Sequence, residues 1–258
     1  MSPNRTGFAL ACIALALTWA QASAAPRKAP PAKKTPSATW AWDEQAGKSV
    51  ALKRGKQVVW RFNYAADQNK AYFHPVALPG GPVLTWDKPP DHVWHHALWF
   101  SWKFLNGVNY WEIDRKTGKP AGQSQWANVK VATRPDHSAR ISMDMTWRDP
   151  DDKAVLTGTR TVDVSAPDET GRYHFDWTCT FTAGKKDVLL DRTPLPGEPG
   201  GKGFGGYAGL SLRLAKDLID RKAVTPTGPV KFEQDRYRGK APAMDYNLDA
   251  WLSRGRIG

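Results

Sequence analysis

From Ser49 onward, apolar and polar residues alternate in short runs bounded by turn residues. "SVALKRGKQVVWRFNY" (49–64) predicts two strands joined at Arg54-Gly55. "ARISMDMTWRD" (139–149) puts Ile141, Met143, Met145 and Trp147 on one face and Ser142, Asp144 and Thr146 on the other. "DPDDK" then turns the chain into "AVLTGTRTVDVSA", and "RYHFDWTCTFTA" (172–183) points Phe175, Trp177, Cys179 and Phe181 inward. "GYAGLSLRLA" (206–215) is a further strand after a Gly/Pro-rich loop, and "AKDLIDRKA" (215–223) is the one helix the pattern allows. Strands with a single apolar face each predict an all-β fold, a large antiparallel β-sandwich. No repeat and no linker follow residue 40, so residues 40–258 read as one domain. The end, "MDYNLDAWLSRGRIG", shows no closing strand pattern, as expected if a terminal part were missing.

The run "PPDHVWHHALWFSWKFLNGVNYWE" (89–112) departs from this monotony. Asn106-Gly107 suits a type I′ hairpin, because both positions accept positive φ. Carried outward, the register pairs Leu105 with Val108, Phe104 with Asn109, Lys103 with Tyr110, Trp102 with Trp111 and Ser101 with Glu112. Alternation then gives a core face of Phe100, Trp102, Phe104, Trp111 and Ile113. The opposite face carries Trp99, Ser101, Lys103, Tyr110 and Glu112, a mixture of rings, a cation and a carboxylate suited to a polyhydroxylated ligand. A solvated surface with a Lys103–Glu112 pair is the plainer account of the same face.

Composition adds three constraints. Thirteen tryptophans in 258 residues point to a ring-rich core, an aromatic ligand platform, or both. The first residues, with Arg5, an apolar run from Phe8 to Ala20 and "ASA" at 22–24, read as a signal peptide (1–24), followed by a Pro/Ala/Lys tether (25–39). Export to the periplasm or beyond is the expectation, with no membrane span in the mature chain. Removing the leader takes Cys12 and leaves Cys179 as a buried thiol without a disulfide partner. The net charge of +12 is partly in the tether, and no nucleic-acid module accompanies it.

His92, His95 and His96 lie in a loop entering the hairpin, with Asp91 beside them and His74 upstream in "AYFHPV". Three readings stay open. His92, His95 and His74 could ligate a divalent metal, although the spacing matches no established motif. A histidine with Asp91 or Glu112 could move protons without any cofactor. Or the imidazoles simply bond loop carbonyls and pack on Trp94 and Trp99. His174 and Asp176 read as a solvated surface pair, and His137 as a turn residue.

"YFHPV", the 89–112 run and "GGYAGLSLRL" together resemble the PmoA-like family of bacterial proteins of unknown function, over about residues 45–247. The resemblance implies an all-β sandwich of the mutarotase-like supersandwich kind that handles carbohydrates. It does not imply methane oxidation, since no spanning segment is present. Its motif positions fall on His74, Asp91, His92, His95, Trp99, Asn106 and Glu112. Arg-Gly in the pattern is replaced here by His96-Ala97, which sets His96 apart.

The expectation is therefore an exported protein that binds or modifies a sugar or glycoside by epimerisation, elimination or hydrolysis. His74, Asp91, His92, His95 and Glu112 would do the chemistry, and Trp94, Trp99, Ser101, Lys103 and Tyr110 would hold the substrate. The alternatives are a metal-dependent enzyme on the same histidines and a non-catalytic glycan-binding or envelope module. Substrate identity and oligomeric state are not legible in the sequence.

Overall fold

The computed structural model describes residues 39–195, 197–201, 205–217, 223–225 and 228–230. The expected leader, the tether up to residue 38, the middle of the expected helix and the chain end lie outside the described residues. Among the described residues every regular element is a strand, and no helix is long and apolar enough to cross a membrane.

The first sheet is built mainly from consecutive antiparallel strands. These are β1 (Trp40–Gln45), β2 (Ser49–Arg54), β3 (Gln57–Asn63), β4 (Tyr72–Val76) and β5 (Leu98–Ser101). The hairpin β6 (Phe104–Leu105) and β7 (Val108–Asn109) interrupts the series and pairs with the short β12 (Leu190–Asp191). A second sheet joins β8 (Gln123–Thr133), β9 (Ala139–Arg148), β10 (Ala154–Val164) and β11 (Phe175–Ala183) in the order β11-β10-β9-β8. Strand β13 (Gly209–Leu212) returns to close the first sheet against β5, and β14 (Ala223–Thr225) pairs with β15 (Gly228–Val230).

The two large sheets face one another, which makes the fold a β-sandwich. Val50, Leu52, Trp60, Phe62 and Phe73 from the first sheet share one core with Ile141, Met143, Met145, Trp147, Val162 and Val164 from the second. Phe73 meets Phe175 across the gap at 4.6 Å between ring centroids. Each such side chain contributes roughly 1.5–3 kcal/mol by leaving water. The expected β9 alternation is present in full, with Ile141, Met143, Met145 and Trp147 buried. Strand β8 went unpredicted because Asn128, with φ 52°, sits in a bulge. The bulge moves the inward positions from Trp126 to Val129 and Val131, so period two fails across it. His174 and Asp176 form an exposed pair at 3.3 Å, and His137 is a turn residue with φ 70°.

The hairpin forms at Asn106-Gly107 with the expected inner pairs, Leu105–Val108 and Phe104–Asn109. One more backbone bond follows, the Tyr110 N–H donating to the Lys103 carbonyl (3.1 Å), and the ladder then stops. The Asn109 Oδ1 accepts from the backbone N–H groups of Trp111 (2.8 Å) and Glu112 (3.2 Å), an Asx-type turn that replaces strand pairing. Parity is lost at that point, and the expected faces need correction. Tyr110 enters the sandwich core, while Trp111 falls on the opposite side with Trp99 and Tyr72.

Candidate functional site

The site lies on the outer side of the first sheet, at β4, β5 and β13. Phe73 and Leu98 face the sandwich, so their neighbours Tyr72 and Trp99 face away from it. Tyr72 stands opposite Trp99 on one side, and Ser211 stands opposite it on the other. Trp111 lies 5.4 Å from Trp99, and Tyr207 lies 5.1 Å from Trp111. Trp99 and Trp111 are 2% and 3% exposed, so this is a second, small aromatic core outside the sandwich.

The histidine loop covers it. Asp87 and His96 bridge across the loop's base, and the Lys88 N–H donates to the His95 carbonyl. Inside are two tight turns, closed by the His92 N–H donating to Pro89 and the His95 N–H donating to His92. Lys88 (φ 47°) and Ala97 (φ 64°) take left-handed conformations at its two ends, at a cost of about 1–2 kcal/mol each. The outcome is a column of rings: His92 lies 4.7 Å from His95, and His95 lies 5.1 Å from Trp99, both pairs tilted by 32°. Trp94 flanks His92 at 5.4 Å.

A cavity of about 550 Å³ opens among these groups. That is within the roughly 300–1,000 Å³ typical of small-molecule sites. His92, Trp94, His95 and Trp99 form one wall; Trp111, Glu112, Tyr207 and Arg213 close it from the other elements. Another cavity, about 530 Å³, lies by Trp102 and the Arg192–Glu198 ion pair.

Glu112 is clamped. Its Oε2 accepts from Lys103 Nζ and from Asn109 Nδ2 (2.6 Å), and its Oε1 from the Tyr207 hydroxyl (3.0 Å). Burial pushes its carboxyl up, but these donors and the Lys103 charge outweigh burial and hold it below the usual carboxylate range. Asp91 Oδ2 lies 2.8 Å from His92 Nδ1 and 3.4 Å from Arg213 Nη2. The His92 contact is the first cause of its lowered pKa. His95 is pushed down to about 3, first by burial and then by the positive surroundings of His92, Arg213 and Lys70.

Lys70 lies behind this wall, 2% exposed, with Nζ donating to the Trp111 carbonyl at 3.0 Å. Burial lowers it to about 8 against the opposing pull of Glu112. A second polar group sits beyond Tyr72, whose hydroxyl donates to Asp87 Oδ2 (3.3 Å), while His96 Nδ1 meets Asp87 Oδ1 at 3.1 Å. His96 is fully buried, and burial keeps it neutral more strongly than Asp87 favours its charge.

Of the sequence-predicted residues, the structure gathers His92, His95, Glu112, Trp94 and Trp99 around one cavity, with Asp91 at its rim. His74 is not on that lining. Its Nδ1 meets Thr85 Oγ1 at 3.0 Å, and burial lowers its pKa against the opposing field of Asp87. Ser101, Lys103 and Tyr110 do not form the expected ligand-facing surface, because all three are buried. Ser101 Oγ donates to the carbonyls of Tyr110 and Trp102, and Lys103 serves Glu112 from behind. The metal set His74, His92 and His95 is not assembled: among the described residues no group of three His, Cys, Asp or Glu side chains is placed to hold an ion.

Sequence reasoning missed Lys70, Asp87, Tyr207 and Arg213, and assigned Trp111 to the wrong core. Tyr207 and Arg213 were both inside "GGYAGLSLRL", read only as a strand; its register against β5 is what makes them neighbours of Trp99. Nothing in the local sequence marks Lys70, whose partner lies 41 positions away.

Residues 49–251 match the family of unknown function DUF6807, and the chain belongs to that family. No curated protein and no solved structure matches the chain.

Proposed function

We propose that this protein is an exported carbohydrate-binding protein that acts on its sugar by proton transfer, with the cavity under the histidine loop as its site. The supporting observation is the wall of Trp94, Trp99, Trp111 and Tyr207 around a polar rim of His92, Asp91, Glu112 and Arg213. Flat rings suit the C–H faces of a pyranose, and the rim suits its hydroxyls. The resemblance to PmoA-like, mutarotase-like sandwiches and the leader-like first residues belong to the same reading.

Within it, the roles differ from residue to residue. His92, with Nδ1 against Asp91, is the group placed to exchange a proton with substrate. Neutral His95 offers hydrogen bonds and a stacking surface. Glu112, already holding three donors, fixes Tyr207, Lys103 and Asn109 and takes no proton itself.

The three donors already on Glu112 and the low basicity of His95 also favour a second reading, a glycan-binding module without turnover. Incubating the protein with short oligosaccharides in D₂O separates the two. The catalytic reading predicts deuterium entering a sugar carbon or the appearance of a product, lost in His92→Gln while binding persists. Binding with neither exchange nor product establishes the module.

A further inference from the structure

We infer that the cavity selects sugars bearing a carboxylate, uronic-acid units, and that Arg213 receives that carboxylate; this rests on the carbohydrate reading above. A neutral sugar offers hydroxyl donors as well as acceptors, and a protein usually meets the donors with carboxylates. Here those acceptors are largely used. Glu112 holds Lys103, Asn109 and Tyr207, three of the about four acceptor sites a carboxylate has. Asp91 Oδ2 is engaged by His92 and Arg213.

The donors are not used to the same extent. The indole N–H groups of Trp99 and Trp111 are buried with no hydrogen-bond partner among the described residues. Core indoles such as Trp60 and Trp177 share this condition, so the rings alone do not identify a ligand. Arg213 does more. Its backbone is fastened on both sides, its carbonyl accepting from the Trp86 N–H (2.9 Å) and its N–H donating to the Ala97 carbonyl (2.6 Å). Its guanidinium lies over the Trp86 ring at 5.7 Å from the centroid, and only Nη2 reaches Asp91, at 3.4–3.5 Å. A guanidinium held this way, lining a cavity and loosely paired, presents the fork that a carboxylate takes in bidentate fashion.

Behind the wall Lys103 pairs with Glu112, Lys70 donates to the Trp111 carbonyl, Arg213 stands against Asp91, and Asp87 is taken up by Tyr72 and His96, so each carboxylate there already holds a donor. An anion entering beside His95 would offset the field of Arg213 and Lys70, which adds to burial in keeping this imidazole neutral. Hydrogen bonds from an ionised fork are roughly twice as strong as neutral ones, enough to rank acidic above neutral ligands.

The test is calorimetric titration of the full chain with di- and trisaccharides of glucuronic and galacturonic acid, against their carboxyl-reduced neutral counterparts. The acidic sugars should bind at least about tenfold more tightly at low salt, a difference of about 1.4 kcal/mol. Arg213→Gln should bring the ratio close to one, because the acidic sugars lose far more affinity than the neutral ones. Equal binding of both kinds by the unaltered protein overturns the selectivity and leaves the carbohydrate reading standing. A preserved ratio in Arg213→Gln overturns the assignment to Arg213. Binding of neither kind overturns both readings together.

Discussion

The Tyr207 hydroxyl donates to Glu112 Oε1 at 3.0 Å, tying the loop before β13 to the residue that ends the hairpin's turn, 95 positions earlier. The bond closes one side of the aromatic cavity, and the Tyr207 ring lies against Trp111 at 5.1 Å. Tyr207→Phe keeps the ring and removes the donor. A hydrogen bond to a charged group is worth about 1.5–3 kcal/mol, so denaturant unfolding should show a loss of that order. The Glu112 carboxyl, with one donor fewer, should titrate higher in carbon-detected NMR.

Lys70 gives the fold a stability that depends on alkaline pH. Its ordinary value of 10.5 applies to the unfolded chain, and about 8 applies to the fold. Below about 8 both states carry the proton. Between about 8 and 10.5 the unfolded chain holds more protons, so stability rises with pH, by up to roughly 3 kcal/mol. Urea unfolding from pH 7.5 to 9.5 should show the rise, and Lys70→Met should abolish it.

Tyr110 belongs to the sandwich core, 1% exposed, and its hydroxyl has no partner among the described residues. Tyr110→Phe should therefore leave ligand binding untouched and hold or raise stability, since an unmatched buried hydroxyl costs about 1–3 kcal/mol. Gly122 lies against the same ring, and a Cβ there would fall inside it. Gly122→Ala should lower the melting temperature by several degrees, read by circular dichroism.

Ala97 is fully buried at φ 64°. A β-branched side chain resists that conformation most, so Ala97→Val should destabilise by more than about 2 kcal/mol. Ala97→Gly, which accepts positive φ freely, should fold at nearly the unaltered melting temperature.

How far the sequence reached depends on how local each determinant is. Period two in 139–149 and the Asn106-Gly107 turn are local signals, and β9 and the hairpin formed as expected. The faces beyond the hairpin failed because a side chain, Asn109, replaced the backbone ladder, and alternation carries no warning of that. His92 and His95 were legible from their crowding, and the loop does bring them to Trp99. His74 was grouped with them by residue type and by the resemblance, whereas the sheet directs it to Thr85. Tyr207 and Arg213 reach the site through the β5–β13 register, a long-range pairing no short motif records.

The central claim is that the rings under the histidine loop hold a sugar. Trp94 is the ring on which to test it, because it lines the cavity while remaining partly exposed, so its loss disturbs the core least. Calorimetric titration of the unaltered protein and Trp94→Ala against acidic and neutral oligosaccharides should give saturable binding that weakens at least about tenfold in the variant, the worth of one stacked ring. No binding by the unaltered protein, or equal affinity in Trp94→Ala, would contradict the account.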